Sequence, residues 1–282
     1  MTTPRLGVIL AALFALLAIG APWLSPVGPS ETTDVVMTRF LPPGAVDHTG
    51  LVHLLGTDRL GRDVWSRFLF GARVSLTVGL LATLTSLVIG VLVGGMAALF
   101  PGALSHLLLG VTDFALAVPR VVLLLLLAAL WEPSAALVIV TLGLTGWMPI
   151  ARLVYLEALS QLGRPYLDAA QALGGSRPHL FLRHILPNAA PSFLAAVTLG
   201  VGNAISLEAG LSFLGVGVQP PTPSWGGLIG SGRETVVNAP WVGLAPGIAL
   251  VLVVIACTLI ADGFERRVHS DRHQLAGLGL ER

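Results

Sequence analysis

Residues 155–188 read YLEALSQLGRPYLDAAQALGGSRPHLFLRHILPN, and what this stretch interrupts decides the fold. It is polar and helix-forming and contains Arg164, Arg177 and Arg183, yet apolar runs flank it. Residues 74–112 carry no charged side chain apart from His106, and residues 133–151, 209–232 and 235–261 carry none. A run of about 20 apolar residues matches a hydrocarbon core of about 30 Å. Across all 282 residues only 11% are charged and 54% are hydrophobic, whereas soluble domains carry about 25% charged residues. There is too little charge to cover a water-facing surface. The chain therefore reads as all-α, a polytopic membrane protein.

Six transmembrane helices are expected: Leu6–Leu24, Val74–Phe100, Leu107–Trp131, Ala135–Val154, Pro191–Gly215 and Trp241–Ala261. Phe100-Pro101-Gly102 separates the second from the third, and Glu132-Pro133-Ser134 leaves a very short loop before the fourth. Closely spaced prolines from Gln219 to Ser224 cannot continue the fifth. The run after Arg5 is longer than the roughly 7–15 residues of a cleaved signal core, so it is read as an uncleaved first helix.

Arginines near helix ends set the orientation. With a cytoplasmic amino terminus, Arg5, Arg152, Arg164, Arg177, Arg183, Arg266, Arg267, Arg272 and Arg282 fall inside. Arg39, Arg59, Arg62, Arg67, Arg73 and Arg233 fall outside. This modest bias places both termini and the polar segment in the cytoplasm. The expected organisation is a cytoplasmic N-terminus and first span (1–24), an extracytoplasmic loop (25–73), a transmembrane core (74–267) containing the cytoplasmic segment 155–190, and a cytoplasmic tail (268–282). Within the outer loop, Val64, Trp65, Phe68 and Leu69 would share one face of an interfacial helix leading into the second span; substrate gating is the sharper alternative. The net charge of +1 argues against a nucleic-acid partner, and a lone Cys257 excludes an intrachain disulfide.

Inside the polar segment, Pro165 suits a first helical turn and Asp168 complements the positive helix start. Ala169, Ala170 and Ala172 favour helix, and Gly174-Gly175 stops it. Ser176 is placed to cap a second short helix, with Pro178 in its first turn, ending near Leu186-Pro187. Tyr166, Ala169, Ala170 and Leu173 share a face that would seat in a partner's groove. On these grounds alone a plain connecting loop is as well supported.

The spacing D-A-A-x3-G-x11-L-P, Asp168 to Pro187, resembles the E-A-A-x3-G-x9-I-x-L-P signature of permease subunits of bacterial ABC importers. Asp168 replaces the usual Glu, and His184 stands where Ile is usual. LGTDRLGRDVWSR (55–67), GARVSL (71–76), RHILPN (183–188), EAGLSFLGVGVQPPTPSWG (208–226) and, less specifically, ADGFERR (261–267) are similar to the dipeptide/oligopeptide/nickel permeases, best to their C-type subunit (DppC/OppC-like). The resemblance implies a type I ABC-importer permease fold (MetI-like) in a bacterial cytoplasmic membrane. It implies an ATPase-coupling role for Tyr166, Asp168, Ala169, Ala170, Leu173, Gly174, Leu186 and Pro187. Implied partners are a B-type permease, two ABC ATPase subunits and an extracytoplasmic solute-binding protein. ATP and Mg would belong to the ATPases, with no cofactor and no catalytic residue in this chain. The absence of Lys agrees, since it excludes a G-x-x-x-x-G-K-[ST] phosphate loop. Peptides are the expected cargo, with nickel or other small solutes as the alternative.

Polar groups inside the spans are candidates for the pathway or for contacts between helices. Five leucines follow Arg120, worth about −1.5 to −3 kcal/mol of insertion, against about +2.5 to +3.5 kcal/mol for a central Arg. That helix can insert if Arg120 faces protein, a cavity or headgroups. Asp113 is expected on a similar face seven residues earlier, while Asn203 and Glu208 point in different directions. His48, His53, His269 and His273 lack a completing ligand set and are read as solvated, so no metal is expected. An ion-gradient-driven transporter would need inverted repeats and buried carboxylates, and only Gly/Pro interruptions hint at it. No nucleophile motif supports a hydrolase.

Overall fold

The computed structural model describes residues 3–32 and 34–277. Helix α1 (Thr3–Leu24) is followed by a connecting segment with a short α2 (Val35–Thr38) and a hairpin of β1 (Ala45–Val46) and β2 (Val52–His53). The remaining helices are α3 (Val64–Leu99), α4 (Ala103–Ala117), α5 (Arg120–Leu130), α6 (Ala135–Gln161), α7 (Pro165–Ala172) and α8 (Arg177–Leu180). A π-helical turn (Phe181–Ile185) joins α8 to α9 (Leu186–Asn188), and α10 (Ala190–Phe213), α11 (Trp225–Glu234) and α12 (Trp241–Gly277) complete the chain. Among the described residues, α1, α3, α6, α10 and α12 are long and apolar enough to cross a membrane; α4 and α5 are so only taken together, as a sharply bent pair.

Three boundaries depart from expectation for local reasons. The second span begins at Val64 rather than Val74 and absorbs the expected interfacial helix. Asp63 caps it by accepting from the Ser66 amide at 2.7 Å, and nothing between Val64 and Val74 breaks a helix. At about 1.5 Å per residue its 36 residues reach about 54 Å, so its ends extend beyond a core of about 30 Å. The helix expected over Leu107–Trp131 is broken in two: α4 and α5 meet at 78°. Pro119 forces Val118 into extended backbone, and its carbonyl restarts the helix by accepting from Val122 and Leu123. The fourth span runs on to Gln161, where Gly163, at φ +83°, ends it.

Close helix contacts hold the bundle. Gly90 and Gly94 on α3 meet Ile150 and Ala151 on α6, and a Cβ on Gly94 would strike the Ala151 carbonyl and lie 2.9 Å from Val154 Cβ. A second core gathers Phe14, Phe68, Leu69, Ile205 and Trp225 from α1, α3, α10 and α11. Trp225 is fully buried, with Phe14 edge-on at 5.6 Å and its indole N–H donating to the Phe68 carbonyl at 3.2 Å.

Candidate functional site

The polar segment folds as the two short helices expected of it, joined at a glycine corner. Pro165 opens α7 and Asp168 lies in its first turn. The corner closes α7 with two backbone bonds: Gly174 N–H to the Gln171 carbonyl at 2.9 Å and Gly175 N–H to the Ala170 carbonyl at 3.1 Å. This double bond pattern requires a left-handed residue, and Gly174 supplies it at φ +91°. Ser176 precedes α8, but its side chain makes no capping bond; its carbonyl accepts from Leu180 instead. The π turn accommodates Pro187, whose missing N–H would leave the Arg183 carbonyl without its helical partner.

Anchoring comes from residues outside the expected docking face. Leu167, Leu180, Phe181 and Ile185 are buried against Ala98 of α3, Ile150, Val154 and Ala158 of α6, and Phe193 of α10. A Cβ on Gly95 of α3 would lie 2.8 Å from the Phe181 ring, so that glycine is the seat of the phenyl group. Arg177 donates to the Leu99 carbonyl at 3.0 Å, placing a cation at the negative end of α3. The segment is thereby tied to three spans at once.

On the outer face, Leu173 is 90% exposed, an unusual place for a leucine with no partner. Ala169 and Asp168 are exposed beside it, Ala170 is half-buried, and Gly174 and Pro187 are exposed. Leu186 packs at the edge of the buried cluster. Tyr166 is partly turned inward: its hydroxyl donates to Gln161 Oε1 at 2.8 Å and accepts from Asn188 at 3.4 Å. Its ring lies 6.5 Å from that of His184, which fills the usual Ile position. Between α7 and α8, a recess is lined by Ala170, Leu173, Gly174, Ser176, His179 and His184.

The intramembrane polar residues separate into distinct sites. Glu208 is fully buried in α10, accepting from Ser75 of α3 and from Ser212, each at 2.7 Å. Those hydroxyls in turn accept from the amides of Trp225 and Val218 at 3.2 and 3.0 Å. The motif at 71–76 thus meets the motif at 208–226 through one carboxylate. Asp113 and Arg120 do not share a face, because the bend at Pro119 puts them on different helices. Asp113 pairs with Arg152 at 3.0 Å, both half-exposed. Arg120 donates to Thr145 Oγ1 at 2.9 Å and to the Leu142 carbonyl at 2.8 Å. It lines a cavity of about 240 Å³ together with Thr83, Ser86, Leu142, Ile150 and Asn203.

Outside the spans, His53 overturns its expected solvation. It is buried, with Nδ1 2.8 Å from Asp63 Oδ1 and Nε2 3.6 Å from Asp47 Oδ2. The alternation in a two-residue strand was too short to signal this. Asp58, from the motif at 55–67, holds Arg62 at 2.7 Å, with Arg67 at 3.7 Å. His48 is exposed, and the side chains of His269 and His273 lie outside those described. Among the described residues no group of three or more His, Cys, Asp or Glu is arranged to hold a metal ion.

Residues 86–271 match the family described as the binding-protein-dependent transport system inner membrane component. The chain is 39% identical to a putative peptide transport system permease protein of Brucella abortus over 97% of its own length and 89% of that protein's. It is 34% identical to the di/tripeptide transport system permease protein DppC of Pseudomonas aeruginosa, covering 91% and 84% respectively. In fold it is similar to the MetNI methionine ABC transporter in an inward-facing conformation, with a TM-score of 0.57 and 22% identity over 72% of this chain and 95% of that one. Bent and straight spans, the glycine-cornered helix pair and this likeness agree: the chain is a multi-pass membrane protein belonging to the binding-protein-dependent transport system inner membrane component family.

Proposed function

We propose that this chain is one transmembrane half of an ATP-driven importer of short peptides, and that α7–α9 is where cytoplasmic ATPases act on it. The supporting observation is the two-sidedness of that segment. Leu173 projects outward while Leu167, Leu180, Phe181 and Ile185 grip α3, α6 and α10. A displacement imposed at Leu173 therefore reaches spans that line the Arg120 cavity. A buried interior moves as packed units rather than deforming continuously, so the segment acts as a lever. The peptide assignment is supported by the names of the Brucella and Pseudomonas relatives.

In this reading the chain pairs with a B-type permease and two ATPases, which bind ATP and Mg, and receives cargo from an extracytoplasmic solute-binding protein. Both termini face the cytoplasm of a bacterial inner membrane. Reconstitution tests it. Vesicles holding both permeases, the ATPases and the binding protein should take up a radiolabelled dipeptide with ATP, and those lacking the ATPases should not. Uptake driven by an ion gradient without ATPases would sink the proposal, and uptake of nickel but no peptide would replace the cargo.

A further inference from the structure

Among the described residues Arg120 has no carboxylate partner, although an unpaired cation is costly within a membrane. Its two hydrogen bonds, to Thr145 and Leu142, use two of the five N–H donors of a guanidinium. The rest are left to the cavity that Arg120 lines. Asn203 enters the same cavity from α10, exposed and, among the described residues, without a hydrogen-bond partner. An amide in a membrane-spanning helix ordinarily finds a partner. The remaining wall is mostly apolar, with Ala82, Leu142, Ile150 and Leu199.

A planar cation with spare donors matches a carboxylate, which it can grip bidentately. An amide beside it can both donate and accept, as a peptide group requires. At about 240 Å³ the cavity is smaller than the roughly 300–1,000 Å³ of a small-molecule pocket, so it has room for one end of a peptide. We propose that Arg120 and Asn203 form a binding site for the carboxy-terminal carboxylate and last peptide group of the transported peptide. This rests on the peptide-importer reading above. The apolar wall would take the last side chain without strong preference, and the carboxylate common to all free peptides would carry recognition.

The sole cysteine, Cys257, allows a direct test in the complete reconstituted importer. In a Cys257→Ala parent, Asn203→Cys is labelled by thiosulfonate reagents bearing either a sulfonate or a trimethylammonium group. Ala196→Cys, on the same cavity wall, serves as a second probe should the first disturb folding. The sulfonate reagent is expected to react about tenfold faster, the low end of what a cation-lined cleft provides, and Arg120→Gln should remove that preference. Millimolar Ala-Ala should slow labelling, while its carboxamide should not. A reagent preference indifferent to Arg120→Gln, equal protection by acid and amide, or no labelling at either position would overturn the site. ATP-driven uptake by the Cys257→Ala parent is measured in the same vesicles, so that loss of the importer reading is seen separately.

Discussion

The two ends of α3 are held in opposite ways. At its start, Asp63 caps the helix and contacts buried His53, Ser66 donates back to Asp63, and Arg62 and Arg67 converge on Asp58. At its end, the α7–α9 segment is held by Leu167, Leu180, Phe181 and Ile185, with few polar bonds and a leucine left in the open. Directional, desolvated polar contacts specify one geometry and tolerate little displacement. Apolar packing is non-directional, so its elements can shift and repack. On the proposed function, the Asp63 end would act as a fixed frame and the Leu99 end as the moving part.

The largest effect is expected at the lever. Phe181→Ala should cost about 3–5 kcal/mol, as for a buried aromatic truncation, seen as a lower unfolding midpoint in detergent. ATP hydrolysis by the assembled complex should persist while peptide uptake per ATP falls at least about tenfold, the loss expected if about 1.4 kcal/mol of coupling disappears. Unchanged coupling would remove the distinction between the two ends. Next is Asp63→Ala, which removes a cap worth about 1 kcal/mol and leaves buried His53 and Ser66 without an acceptor, at about 1–3 kcal/mol. Stability should fall while uptake per folded complex stays near wild type; a selective loss of uptake would show that the frame also moves.

Leu173→Ser should leave stability within about 0.5 kcal/mol, as for other exposed positions, yet weaken ATPase binding about tenfold, or about 1.4 kcal/mol, in a titration of permease vesicles with ATPase. The smallest effect concerns Asp47. The Thr49 hydroxyl, opposed by desolvation and aided by the amides of Leu51 and Thr49 and by His53, holds its carboxyl down from 3.8 to about 2. A depressed folded value stabilises the folded state above the unfolded one. That contribution is therefore complete above about pH 4 and lost as the pH falls toward about 2. Asp47→Asn should flatten the acid side of the stability profile across that window, lowering stability at neutral pH to the level that the wild type reaches only on acidification.

Much of this was legible in the chain. The charge-free runs gave the spans, Pro165 and Gly174-Gly175 gave the helix pair, and Pro101 and Pro133 gave the breaks. Pro119 is equally visible, yet it does not by itself foretell a break, because a proline within an apolar run can also be absorbed inside a helix, as Pro149 is in α6. His53 and His48 looked alike, although one is buried and the other exposed.

Local chemistry determined the helices and their ends, because turn propensity, capping and proline geometry act over a few residues. Membership of the membrane class followed from composition for the same reason: lipid admits only backbones that satisfy themselves. The sequence put Leu173 on the face offered to a partner, but in a helix as short as α7 the periodic contrast that marks an inner face is weak, so it did not single out Leu167 as the anchor. Only the tertiary structure decided which leucine anchors. It alone joined Ser75 to Glu208 across 133 residues and brought Arg120 and Asn203 to one cavity, because those meetings depend on how whole helices pack.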